Sequence, residues 1–183
     1  MLERVVGRKL LDNQPDVALF IGFVFTLIGF GTSFLIFRSS VSVAMIGLSS
    51  ILIVPYILKV ARPESPSYTS VFSRKNPSLL FFAFLFLGMA LAYTILFGIL
   101  APDIRDSAFR NQLDVIGGRA FGSAGSFFDT ALFAEIFTNN MMIVAIAVIL
   151  SYFYGSGSIF VLNYNASIAG IVYGSPLAAL LWG

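Results

Sequence analysis

The chain has 183 residues, of which 58% are hydrophobic and 11% are charged, against about 25% charged in soluble domains. A mean hydropathy of +0.91 is more apolar surface than a chain this short hides inside a water-soluble fold, which excludes an ordinary soluble domain, a disordered chain and a basic nucleic-acid binder. The net charge is +2, and the absence of Cys and His excludes disulfides, thiolate chemistry, most zinc and haem sites and every His-based triad.

What remains is an all-α polytopic transmembrane bundle forming a single integral membrane domain over 1–183. Residues 1–16 come first. Leu2, Val5, Val6 and Leu10 recur at helical spacing among Glu3, Arg4, Arg8 and Lys9, the pattern of a short helix lying on the membrane surface; a frayed terminus is the other reading. Asp12 or Asn13 caps the next helix, with Pro15 in its first turn. Crossing a bilayer takes about 20 apolar residues. The stretches 17–37, 41–58, 78–101, 140–154 and 158–180 meet or approach that length, so about five spans are expected. The first stretch is too long for a signal peptide and runs into a second span.

Three connections carry the polar residues. The loop after the second span holds Pro63, Pro66 and Pro77 among Ser, Arg and Lys, a connector whose basic residues anchor at anionic headgroups. The third, 102–138, is more structured. Ile104, Ala108, Phe109, Leu113 and Ile116 form an apolar stripe, with Asp106, Arg110 and Asp114 off it, predicting an amphipathic helix at the outer interface. Gly117, Gly118, Gly122 and Gly125 break it. A short apolar helix then covers 127–137, with Ser126 and Asp129 as a capping box. At 11 residues it is too short to cross and is expected to be re-entrant or at the membrane edge. Gly155-Ser156-Gly157 permits a tight hairpin before the last span and lacks the context of a phosphate loop. Lys and Arg number seven in the N-terminal segment plus the second loop and four in the first and third connections. That bias puts the N-terminus in the cytoplasm.

Polar residues within the apolar stretches are the candidate site. Glu135 precedes Asn139 by one helical turn, and Asn140 follows. One reading solvates Glu135 at interface depth and leaves the Asn pair as a helix cap. The other is a polar cluster that holds the short helix to the bundle or faces a cavity. In the last span Asn163 and Ser167 share a face with Gly170 and Gly174, and Asn165 lies between them. Such a ladder lets helices approach closely, with amides bonding across the contact. No nucleophile with a base, no carboxylate pair at depth and no metal-ligand set is recognisable, so no catalytic residue, metal or cofactor is expected.

The last third of the chain carries a further pattern: Ile136-Phe137-Thr138-Asn139-Asn140 before a span, Gly155-Ser156-Gly157, then Asn163 to Asn165, Gly170 and Tyr173-Gly174-Ser175-Pro176. It resembles the stage II sporulation protein M family of integral membrane proteins, whose members carry a double Asn before a span, a Gly-rich bend, and an Asn followed by Gly in the next span. The resemblance implies a non-enzymatic membrane component. In spore formers the family member works as a scaffold with sporulation proteins D and P, which remodel septal peptidoglycan. Family members usually continue into another span, opened by His-Gly with a nearby Glu. This chain stops at Leu181-Trp182-Gly183, so a shortened member or a truncated sequence is expected. Two functions are therefore expected: a scaffold or assembly subunit in the plasma membrane, contacting lipids and itself or other membrane proteins, or a small solute or ion transporter with a site made by Glu135, Asn139, Asn140, Asn163 and Asn165.

Overall fold

The computed structural model describes residues 15–60, 77–118, 138, 141–142, 145, 149 and 157–183. Among them every element is helical: α1 Pro15–Ile36, α2 Val41–Val60, α3 Pro77–Ile99, α4 Pro102–Ala108, α5 Arg110–Gly118 and α6 Gly157–Trp182. Proline opens α1, α3 and α4, where its fixed φ suits the first turn and its missing N–H has no helical partner to lose. Asp16 and Asp103 follow in the first turns of α1 and α4, favourable beside the positive end of the helix dipole.

Three helices are long and apolar enough to cross a membrane: Pro15–Ile36, Leu79–Ile99 and Gly157–Trp182. They match the first, third and last expected spans. The second expected span forms α2, in which Val41–Ile57 is a shorter apolar helix. The fourth expected span, the N-terminal surface helix and the short helix at 127–137 lie wholly or mostly outside the described residues. The amphipathic stripe of the third connection is helical, but in two pieces. The break falls at Phe109 (φ −112°, ψ 16°), whose N–H still bonds the Arg105 carbonyl. Bending there drives the Phe109 ring completely under the bundle, edge-on to Tyr93 and Phe97 with centroids 6.2 and 5.2 Å away.

The bundle buries polar residues beside an apolar core and leaves many large apolar side chains outside. Its interior includes Thr26, Ser33, Ser42, Ser49, Ser50, Gln112, Asn163 and Ser167, while Phe20, Leu35, Leu79, Leu87, Tyr173 and Leu180 point outward. Lipid tails solvate leucine as well as a protein core does, so apolar side chains gain little by turning inward. Small residues that let backbones touch, and polar ones that need partners, collect inside. α1 shows the pattern plainly: its buried residues are Ala18, Gly22, Thr26, Gly29 and Ser33. Of these polar groups, the Thr26 hydroxyl has no hydrogen-bond partner among the described residues.

α3 is the common neighbour, packed against α1 on one flank and α6 on the other. Both contacts are set by glycine. A Cβ on Gly22 would strike the Leu85 carbonyl, and one on Gly88 the Leu19 carbonyl. On the other flank Gly170 lies against Tyr93, and a Cβ on Gly174 would come within 2.8 Å of the Thr94 carbonyl oxygen. α1 and α2 form a tight hairpin, closed by Phe37 N–H to the Ser33 carbonyl (2.7 Å) and Ser40 N–H to the Phe37 carbonyl (2.9 Å). Residue order along the α3–α6 contact rises together, from Gly170 at Tyr93 through Gly174 at Thr94 and Phe97 to Leu177 at Gly98. The two helices therefore run parallel. α2 runs against them, with Tyr56 near its end stacked on Phe81 near the start of α3.

Gly88→Leu must force α1 and α3 apart and costs on the order of 1–3 kcal/mol or more, as overpacking does. Gly31→Leu is the control, since among the described residues nothing lies within 4 Å of its Cβ position. Thermal unfolding in detergent should show a lowered midpoint for the first and an unchanged one for the second.

Candidate functional site

An amide inside hydrocarbon is costly unless each of its polar atoms finds a partner. Asn163, on α6, finds several. Its side-chain oxygen accepts the Tyr93 hydroxyl of α3 (3.1 Å). Its amide nitrogen faces three acceptors on α2: the Ser49 hydroxyl (2.7 Å), the Ser50 hydroxyl (3.0 Å) and the Ile46 carbonyl (3.1 Å). The Ser49 hydroxyl in turn donates to the Met45 carbonyl of its own helix (2.6 Å). Two amide hydrogens thus serve three acceptors, and the amide is saturated. Asn163, Tyr93 and Ser49 are fully buried and Ser50 nearly so. One side chain ties α2, α3 and α6 together about halfway along α2.

The other residues expected at a site behave differently. Asn165 stands two positions further along α6, on another face, and its amide donates to the Val161 carbonyl one turn back (2.8 Å). The Ser167 hydroxyl does the same toward Tyr164 (2.7 Å). Both satisfy themselves on their own helix. Gly170 and Gly174 are the close contacts with α3, as the ladder predicted. Gly157 is the first residue of α6. Glu135, Asn139, Asn140 and Gly155 lie outside the described residues. Of the five residues in the expected polar cluster, Asn163 and Asn165 are described, and they do not converge.

Sequence reasoning missed the partners of Asn163. Tyr93 is the one tyrosine in α3, and Ser49-Ser50 is an adjacent polar pair within α2. Each was a signal that the stretch faces protein. It also missed a second polar contact, at the end of the bundle where α2 begins. There the Ser42 hydroxyl donates to the Gln112 side-chain oxygen (2.6 Å) and accepts the Asn111 backbone N–H (3.2 Å). That clasp holds α5 to the start of α2, while the Phe109 ring packs on Tyr93 and Phe97 of α3.

Among the described residues no grouping of three or more His, Cys, Asp or Glu could hold a metal ion. Comparison with protein-family models, with curated proteins and with solved structures finds no match to this chain.

The Tyr93–Asn163 contact can be measured by a double-mutant cycle of Tyr93→Phe and Asn163→Leu on thermal or denaturant unfolding in micelles. A coupling of about 0.6–2 kcal/mol is expected, the range for interhelical bonds in lipid. Strictly additive effects would mean that the two side chains do not meet.

Proposed function

We propose that the chain is a non-enzymatic, five-span scaffold or assembly subunit of a membrane complex, akin to the stage II sporulation protein M family, with its N-terminus in the cytoplasm. The observation that carries this reading is the use of polar groups inside the bundle. Asn163 is saturated by partners on two other helices, α2 and α3, and Asn165, Ser167 and Ser175 bond their own backbone. These groups favour rigid packing over ligand handling.

Helix direction supports the span count. α5 is clasped to the start of α2, and therefore lies at the end of the bundle where α3 finishes. α6 runs parallel to α3, so it starts from the opposite end. Residues 119–156 must join the two ends, and they contain the apolar stretch 140–154. A fourth crossing there gives five spans and puts the C-terminal end of α6 on the same side as α4.

The protein contains no Cys, so a single introduced thiol reports its own side. Ser107→Cys should react with an impermeant maleimide added to intact cells. Asp16→Cys and Ser158→Cys should react only after permeabilisation. Labelling of Ser107 and Ser158 positions from the same side would remove the fourth crossing.

The transporter alternative draws little support from Asn163 and Asn165, which serve packing. Purified protein in liposomes should leave ion and small-solute flux at the level of empty vesicles, while cross-linking in native membranes should capture the chain with itself or with other membrane proteins. A flux abolished by Asn140→Leu would replace the scaffold reading with a transporter.

A further inference from the structure

α4 and α5 distribute their charges unevenly. Asp103, Asp106 and Asp114, with Ser107 and Arg110, border an open hollow of about 440 Å³ on one side. Arg105 turns the other way. It lies across the Phe97 ring, its guanidinium carbon 5.2 Å from the centroid, and its side chain is only 19% exposed. There it forms part of a groove of about 340 Å³ between α3, α4 and α6, together with Phe97, Pro102, Ala178, Ala179 and Trp182. The volume is at the small end of ligand cavities, roughly 300–1,000 Å³. The polar parts of the wall are the Arg105 guanidinium, the backbone of Gly183 and Ser175, whose hydroxyl already donates to the Ile171 carbonyl; the rest is apolar. The Trp182 indole is pinned by its N–H to the Gly98 carbonyl (3.2 Å), which fixes the groove's rim where tryptophan sits in membrane proteins, at headgroup depth.

The guanidinium is incompletely used. Its Nε donates to Asp106 Oδ1 (3.2 Å), and its two terminal amino groups have no hydrogen-bond partner among the described residues. Asp106 is 62% exposed, so this pair contributes little. A planar, permanently charged fork with a free edge matches two oxygens of a phosphodiester. We propose that this groove seats a glycerophospholipid, with Arg105 holding the phosphate and the acyl chains running out along the Ala178–Ala179 side of α6. The site rests on the membrane reading above and not on the scaffold role.

The test is native mass spectrometry of the full-length protein released from detergent, titrated with phosphatidylglycerol. One retained phospholipid is expected on the unsubstituted protein. Arg105→Gln should lower its retention about tenfold, the loss of one charged hydrogen-bonding interaction. Ala179→Trp, which keeps the cation but fills the groove, should do the same and carries the test if Arg105→Gln fails to fold. Arg110→Gln, on the other hollow, should bind as the unsubstituted protein does. Neither diacylglycerol, which lacks phosphate, nor inorganic phosphate, which lacks chains, should displace the lipid. Equal retention by Arg105→Gln or by Ala179→Trp, or displacement by either competitor, overturns the site. Cross-linked partner capture in the same variants is read separately, so loss of the lipid site and loss of the scaffold role are distinguishable.

Discussion

Hydrocarbon offers no hydrogen bonds, and most features of this bundle follow from that. Backbone groups are satisfied by making helices. Polar side chains must find one another or the nearest carbonyl. The central instance is Asn163, whose single amide engages Ser49, Ser50, Ile46 and Tyr93. To reach them, α6 must come close to α3, and glycine makes that possible: Gly170 lies against Tyr93 itself. Close approach and polar satisfaction are one arrangement, since a larger residue at 170 would pull the amide away from its partners.

The same logic orders the rest. α1 has no strong polar anchor, and it packs by backbone contact through Gly22 against α3 and Gly29 against Ser49 of α2. α4 and α5 lie at the end of the bundle, where water is near, and use a different chemistry. Phe109 is driven into the core, and Ser42 bonds Gln112. The charges of α4 then sort by side, carboxylates toward the open hollow and Arg105 toward the apolar groove.

The helical, membrane-suited character of the chain was legible in its sequence because it is a summed property: long charge-free runs need no knowledge of neighbours. The ladder of Gly170 and Gly174 was legible for the same reason, being local spacing on one helix. Partner choice was not. Asn163 and Asn165 look equivalent in sequence, yet a two-residue step turns one into the core and the other toward its own backbone. Tyr93 and Ser49 lie 70 and 114 positions from Asn163, and no local pattern links them. The break at Phe109 was hidden because periodicity ran unbroken through it; the bend comes from the ring's burial against Tyr93 and Phe97, a tertiary effect.

That separation along the chain bears on how the protein is made. A ribosome delivers α2 and α3 to the membrane long before α6 emerges. Until then the hydroxyls of Ser49, Ser50 and Tyr93 lack the amide that joins them, and the glycine-lined flank of α3 stands open to lipid. These contacts therefore form only when α6 docks and locks α2 and α3 together. Before that moment, the exposed polar seam is the feature by which a membrane chaperone or protease would tell an unfinished molecule from a finished one.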